Sequence, residues 1–261
     1  MMTVAALHDP DSTAETCLQL TGISKRFGSL HVLDDVDLSV RHGERRGIIG
    51  PNGAGKTTLF NVIAGELQPS SGKVHLYGRE ITRMPPHARA RLGLARTFQT
   101  TTLLPGLTVV ENLVLSLQAL TPTRFQCFVP RTRYRAFREE ALRLLAQVQL
   151  DHCADWLVRA LGHGEQRQVE ILMALAQRPK LLLLDEPTAG LSAADAVLVT
   201  DMLRAYHRDV AMVLIEHDLS VVFNVVERIT VLHYGRVVAE ETVEGIHDNP
   251  VVQEIYLGGK L

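Results

Sequence analysis

The segment that most constrains this 261-residue chain is residues 50–57, with the sequence GPNGAGKT. It fits the pattern G-x-x-x-x-G-K-[ST], in which glycines let the backbone turn its N–H groups toward a phosphate. A short apolar stretch precedes it, and a helical pattern follows, with Leu59, Val62 and Ile63 on one face. The sequence therefore predicts a strand, a phosphate-binding loop and a helix whose N-terminus faces the bound anion.

A second polar site is predicted where an apolar run, residues 181–184, meets Asp185 and Glu186. A short run that is apolar throughout is typical of a parallel strand buried on both faces. Ligands of α/β sheets bind at the carboxyl ends of strands, so both acids are expected near the phosphate loop. We expect Asp185 to hold Mg²⁺ and Glu186 to orient or deprotonate a water.

Composition narrows the functional classes. Hydrophobic residues make up 46% and the formal net charge is -2, which favours a folded α/β domain and argues against a nucleic-acid partner. The three cysteines, Cys17, Cys127 and Cys153, are far apart and are expected to be unpaired core residues. Neither a signal peptide nor an apolar run of about 18 residues is visible, so any membrane association is expected to come through a partner.

Hydrophobic periodicity predicts the order of elements and four regions. Strands are predicted at 17–20, 36–40, 46–49, 73–77, 181–184, 212–215, 229–232 and 236–239, and helices at 56–67, 109–120, 134–150, 165–177 and 192–207. Residues 121–133 are interpreted as a loop, and Asn249-Pro250 as a helix start. We expect a flexible extension (1–16), a parallel-sheet core (17–95 and 165–241) that is interrupted by a helical region (96–164), and a C-terminal helical tail (242–261).

Four further segments give the chain a resemblance to a known family. They are Phe98-Gln99, residues 161–166 (LGHGEQ), residues 189–192 (AGLS) and residues 215–218 (IEHD). With the phosphate loop and the acidic strand end, their order resembles the nucleotide-binding domain of ABC transporters from about residue 18 onward. The resemblance implies an α/β P-loop NTPase core with a parallel sheet, an antiparallel β subdomain and an inserted helical subdomain.

The resemblance also implies roles for individual residues and an ATPase that uses ATP and Mg²⁺. Glu186, His217 and Gln99 would be catalytic, and Thr57, Gln99 and Asp185 would hold the metal. Residues expected to bind nucleotide are Phe27, Gly50, Pro51, Asn52, Gly53, Ala54, Gly55, Lys56, Thr57, Thr58, Leu161, Gly162, His163, Gly164 and Glu165. Taken singly, His217 and Phe27 also fit ordinary core positions, and Gln99 a plain loop.

A narrower resemblance points to a transport system. Residues 95–99 (ARTFQ), 107–113 (LTVVENL) and 214–218 (LIEHD) look like the ATP-binding subunits of branched-chain amino acid importers, whose relatives carry urea or small amides. This resemblance implies two polytopic permease subunits, a second ATP-binding subunit and, indirectly, a periplasmic binding protein. It also implies a peripheral position on the cytoplasmic face of the inner membrane.

Three positions in two segments depart from the family pattern. The signature segment usually begins Leu-Ser-Gly-Gly, whereas this chain has Gly162 and His163 in the middle, and an aspartate of the later loop is replaced by Ser192. Gly162 lacks the hydroxyl that would contact a γ-phosphate on the opposite subunit. The branch that this chain resembles often uses two different ATPase subunits and tolerates variation at the serine position. The resemblance therefore favours a heterodimer over a homodimer, with a weaker site where this signature takes part.

Three alternatives remain open at this point. A P-loop kinase would lack the segments around residues 161–166 and 215–218. A nucleic-acid-linked ATPase of the same superfamily would carry a long coiled coil or a second such domain. An ABC exporter subunit differs only in the narrower resemblance.

Overall fold

The computed structural model describes residues 16–97, 103–119, 121, 131–207, 209–246 and 249–257. In these residues, two β-sheets and the helices pack around three hydrophobic cores. The strands are β1 (Thr16–Phe27), β2 (Leu30–Arg41), β3 (Arg45–Ile49), β4 (Ser71–Leu76), β5 (Arg79–Glu80), β6 (Leu94–Arg96), β7 (Leu181–Asp185), β8 (Ala211–Ile215), β9 (Arg228–His233) and β10 (Arg236–Thr242). The helices are α1 (Lys56–Ala64), α2 (Pro86–Arg91), α3 (Val109–Ala119), α4 (Arg131–Gln147), α5 (His163–Ala176), α6 (Ala193–Ala205), α7 (Leu219–Val225), α8 (Val243–Ile246) and α9 (Pro250–Leu257).

The larger sheet has the strand order β10-β9-β3-β8-β7-β6, and all neighbours are parallel except the β9–β10 hairpin. Its central strands are buried on both faces. Along β7, Leu181 and Leu183 belong to one hydrophobic core, and Leu182 and Leu184 belong to another on the opposite face. Because successive strand residues point to opposite faces, an unbroken apolar run is what this position requires.

The first core lies between this sheet and the antiparallel sheet β2-β1-β4-β5, with α1 packed into it. Arg89 of α2 is fully buried and anchors α1. Its guanidinium donates to the carbonyls of Val62 (2.7 Å) and Ile63 (2.6 Å) at the end of α1. Burial lowers the pKa of Arg89 to about 10. These bonds help to satisfy carbonyls in the last turn of α1, where the Gly65 N–H also donates to the Val62 carbonyl at 3.2 Å, and so fix α1 beside the sheets.

The third core joins α3, α4 and α5 into a helical region. Helix α5 takes part in two cores, since Val169 and Leu172 belong to the helical core while Ile171 and Leu175 pack against the parallel sheet. A rigid helix thereby connects the helical region to the strands that end at the acidic residues. In the part of the chain that the structure describes, no helix is both long and apolar enough to cross a membrane.

The fold class that the sequence predicts is confirmed, and the differences concern the extents of elements. Strand β1 continues to Phe27, because register shifts in its pairing with β2 interrupt the alternation that a sequence pattern depends on. The prediction of a loop up to residue 133 is wrong at its end, where α4 begins at Arg131. The short helix α2 had no sequence signal. The start of α9 is confirmed, since Asn249 Oδ1 accepts from the N–H groups of Val251 (3.0 Å) and Val252 (3.3 Å).

Candidate active site

The phosphate loop connects β3 to α1, and it depends on glycine for its path. Gly50 has φ 154°, and a Cβ there would lie 2.0 Å from the carbonyl oxygen of Leu232, so no larger residue fits. Lys56 Nζ donates to the carbonyls of Gly50 (2.6 Å) and Pro51 (3.1 Å), which curls the loop around the lysine. Gly55 precedes α1 without a side-chain cap, so the first N–H groups of the helix are available to an anion.

A cavity of about 220 Å³ lies beside this loop. Its lining residues are Val32, Asn52, Gly53, Ala54, Gly55, Lys56, Thr57, Thr58, Glu186 and His217. It is smaller than the roughly 300–1,000 Å³ of pockets that enclose a whole ligand, so it suits the phosphate end of a nucleotide. Burial lowers the pKa of Lys56, and the carboxylates of Glu186 and Asp185 oppose that shift.

Glu186 and His217 meet in this cavity from the ends of neighbouring strands, β7 and β8. His217 Nε2 lies 2.6 Å from Glu186 Oε1. Glu186 has φ 48°, a left-handed conformation that is unusual for a residue with a side chain. The two side chains that the sequence analysis singled out separately are therefore in direct contact.

Asp185 takes a different direction, as alternation along a strand requires, and pairs with Arg96 at the end of β6. Arg96 Nη2 donates to Asp185 Oδ2 at 3.0 Å, while Nη1 donates to Asn61 Oδ1 (2.7 Å) and pairs with Glu66 Oε2 (3.0 Å). Burial raises the pKa of the Asp185 carboxyl, and Arg96 opposes that shift. Arg96 thus connects the acidic strand end to α1, a role that sequence reasoning missed although residues 95–99 had been singled out.

The residues present fit the magnesium ion that the sequence analysis expects. Asp185 Oδ1 is buried and has no hydrogen-bond partner, and Thr57 lines the cavity at the start of α1. Mg²⁺ in phosphate sites is usually held by one or two protein oxygens together with substrate phosphates and water, and this pair supplies that number.

Among the predicted site residues that the structure describes, Phe27, Gly50, Pro51 and Asp185 do not line the cavity. Phe27 ends β1 with its side chain 47% exposed, and Lys25 Nζ lies 5.0 Å from the centre of its ring. A half-exposed aromatic ring offers a surface on which a planar group can stack. Gln99 lies outside the described residues.

The signature segment, residues 161–165, is also absent from the cavity lining. Gly162 and His163 are exposed at the start of α5, where Glu165 Oε2 accepts from the Gly162 N–H at 2.8 Å. Gly164 is buried against α6, so that a Cβ added at this position would lie 2.4 Å from Asp195. Ser192 caps α6, with its Oγ accepting from the Asp195 N–H at 3.2 Å. The N-terminus of α5 thus points outward and contacts nothing in the chain's own cavity.

Two further buried charges flank the cavity and were missed as functional residues. Arg167 of α5 contacts the backbone after β7. Glu216, at the end of β8, contacts Thr188 in the loop after β7 and the backbone N–H of His217. Arg167 directly follows the segment 161–166, and Glu216 lies within the segment 215–218, but periodicity says nothing about which backbone groups a buried charge contacts.

Comparison with known proteins now decides the family. Residues 33–189 match the family model described as ABC transporter. This chain belongs to the ABC transporter family. The ABC ATPase is 38% identical over 249 residues to the high-affinity branched-chain amino acid transport ATP-binding protein BraF of Pseudomonas aeruginosa, covering 92% of this chain and 97% of BraF.

Solved ABC cassettes share the whole architecture. The ADP conformation of MJ1267, an ATP-binding cassette of an ABC transporter, superposes with a TM-score of 0.80 at 33% identity, covering 93% of this chain and 99% of that one. The dimeric post-hydrolysis cassette MJ0796, bound to ADP and Pi, has a TM-score of 0.73 at 27% identity, covering 87% and 98%. The chain is therefore an ATP-hydrolysing enzyme, the ATPase subunit of an ABC transporter.

Proposed function

We propose that this chain energises the import of branched-chain amino acids, or of closely related small amides, across the inner membrane. The observation that carries the proposal is the cavity in which Lys56, Glu186 and His217 meet beside the phosphate loop, on a chain that is 38% identical to BraF. The geometry of the cavity supports ATP hydrolysis, and the likeness to BraF supports the class of cargo.

In the proposed reaction, a water attacks the γ-phosphate while Glu186 accepts its proton, and the bond to the bridging oxygen of ADP breaks. His217 donates to Glu186 at 2.6 Å in the resting site and is placed to contact the γ-phosphate oxygens. Lys56 and the N–H groups at the start of α1 neutralise the phosphate charge. Thr57 and Asp185 would hold Mg²⁺, which supplies charge neutralisation between the phosphates, and Gln99 is proposed to join them.

The adenine end is proposed to stack on Phe27, whose ring is half exposed beyond the cavity. The outward-facing α5 N-terminus supports a two-chain arrangement, since Leu161, Gly162, His163, Gly164 and Glu165 would then cover ATP bound to a second ATP-binding subunit. The dimeric form of MJ0796 supports the same arrangement. We propose a heterodimer, because Gly162 has no hydroxyl and its N–H already donates to Glu165 Oε2.

The remaining partners follow from the cargo. Two polytopic permease subunits would form the path, and a periplasmic binding protein would deliver the amino acid. The chain would then sit on the cytoplasmic face of the inner membrane as a peripheral subunit, and ATP-driven closure would shift the permease between two states.

A pull-down and an uptake assay test this proposal together. The tagged chain is purified from detergent-solubilised native membranes, and co-purifying proteins are identified by mass spectrometry. We expect two polytopic membrane proteins and a second ATPase. Recovery of the chain alone or with soluble proteins only would overturn its place in a membrane importer.

The cargo is tested in a strain lacking this chain, by uptake of radiolabelled leucine, isoleucine and valine, with urea and acetamide as related substrates. Wild-type chain should restore uptake of at least one of them, and Glu186→Gln should not. Normal uptake of all five without the chain would overturn the importer assignment and leave only the ATPase.

A further inference from the structure

The peptide that carries Glu186 is strained and is gripped from two sides. Glu186 has φ 48°, a left-handed conformation that is unfavourable for a residue with a side chain and persists only where its surroundings impose it. Its N–H donates to the carbonyl of Ile215 at 2.9 Å, which anchors the start of the turn to β8. The direction of the carboxylate therefore depends on contacts to the backbone just after it.

Arg167 grips this turn from the α5 side. Its side chain is almost fully buried, and its Nε donates to the carbonyl of Pro187 at 2.9 Å. Its Nη2 lies 3.3 Å from the carbonyl oxygens of both Asp185 and Glu186. Nη1 pairs with Glu170 Oε2 at 2.9 Å, one turn along α5. A planar fork of donors is what allows one side chain to address three successive carbonyls.

Glu216 grips the same turn from the β8 side and is 4% exposed. Its Oε1 accepts from both the N–H (2.8 Å) and the Oγ1 (2.5 Å) of Thr188, two residues after Glu186. Its Oε2 accepts from the His217 N–H at 3.0 Å. One buried carboxylate therefore ties the backbone that follows Glu186 to the backbone that carries His217.

We propose that Arg167 and Glu216 form a clamp that sets the position of Glu186 relative to His217 for ATP hydrolysis. This inference rests on the proposed role of Glu186 as the base. Neither residue lines the cavity, so both act through the backbone as positioning residues. The clamp maintains the left-handed turn at Glu186 and thereby the 2.6 Å contact between Glu186 and His217.

Arg167→Lys and Glu216→Gln test the clamp with little change in volume. Lysine keeps the charge but replaces the extended planar fork, which reaches the three carbonyls and Glu170, with a single ammonium group. Glutamine places an NH₂ group opposite an N–H or hydroxyl donor. We expect kcat for ATP hydrolysis by the purified full-length chain to fall about 10- to 100-fold, because a displacement of about 1 Å in a reacting group has that effect. The KM for ATP and the binding of a fluorescent ATP analogue should change less than about twofold, since no phosphate contact is lost.

Matched controls come from another buried ion pair, Arg46 with Glu44, whose Nε–Oε1 distance is 2.6 Å. Arg46→Lys and Glu44→Gln should lower the melting temperature without the selective fall in kcat. Thr188→Val, which removes only the hydroxyl contact, provides a milder variant if either clamp substitution fails to fold. A wild-type kcat in Thr188→Val and in the folded clamp variants would overturn the clamp.

A double variant distinguishes a positioning role of Arg167 from a general loss of stability. In a Glu186→Gln background, single-turnover hydrolysis should not fall further when Arg167→Lys is added, because the carboxylate that the clamp positions is gone. A further 10-fold loss there would overturn the positioning role. If Glu186→Gln alone hydrolyses ATP at the wild-type rate, the proposed role of Glu186 fails; if only the clamp variants are normal, the clamp fails and that role stands.

Discussion

The phosphate cavity and the signature segment are both proposed to belong to nucleotide sites, yet they are built very differently. The cavity brings together β2, the phosphate loop, and the ends of β7 and β8, and its side chains already contact one another. The signature segment presents Gly162 and His163 to solvent, and none of its residues lines the cavity. One half-site is assembled within the chain, whereas the other presents a helix N-terminus for something outside it. A single chain should therefore bind ATP through the first region and depend on a second chain for the contribution of the other.

The largest expected effect is on the cavity. Glu186→Gln should retain ATP binding and reduce hydrolysis about 10²–10⁴-fold, the usual contribution of a general base. Phosphate release and binding of a fluorescent ATP analogue measure the two properties. Glu254→Gln, at an exposed carboxylate of α9, is the control and should behave as wild type. Hydrolysis at the normal rate would remove Glu186 from its role and break the assignment of the chemistry to this cavity.

Lys56→Ala should affect binding itself. Loss of hydrogen bonds from a charged group to phosphate costs about 1.5–3 kcal/mol, so the Kd for ATP should rise on the order of 10- to 100-fold. Titration of the isolated chain by calorimetry checks this, with Lys73→Ala on exposed β4 as the control. An unchanged Kd would mean that binding does not centre on the cavity.

Phe27→Ala tests whether the nucleotide extends beyond the cavity. Loss of a base-stacking aromatic costs at least about 1 kcal/mol, which is about a fivefold rise in Kd. Tyr134→Ala is a matched control, because that ring on α4 is similarly exposed at 40%. Equal effects of the two substitutions would place the adenine elsewhere.

The smallest effect is expected in the signature segment. Gly162→Ser restores a hydroxyl, and a Cβ at this position has no contact closer than 3.6 Å, so it can be added without strain. Turnover of the assembled complex should rise about twofold, the low end for one neutral hydrogen bond, while the isolated chain should not change. Gly106→Ser, where a Cβ also meets nothing, is the control. A fall in turnover, or an equal rise in the isolated chain, would contradict the view that this segment serves a second subunit.

Local patterns made much of the fold and site predictable. The phosphate loop, the apolar strand before Asp185 and the cap at Asn249 are encoded within a few residues each, so glycine placement, strand burial and capping rules identify them. The extent of β1 and the existence of α2 were not predictable in that way. The extent of β1 depends on its irregular pairing with β2, and the position of α2 depends on the contacts of the buried Arg89. Those contacts connect distant parts of the chain.

The sequence by itself determined the phosphate loop, the two acids at the strand end and the departure at Gly162, because each is a choice of side chain at a defined local position. Only the tertiary structure decided that Glu186 contacts His217, that Arg96 connects Asp185 to α1, and that Arg167 and Glu216 flank one strained turn. The physical reason is that a buried charge must find its hydrogen-bond partners wherever the fold places them. Those partners are side chains for Arg96 and mainly backbone groups for Arg167 and Glu216. Backbone groups are the same at every residue, so no sequence pattern marks which of them a buried arginine or glutamate will contact.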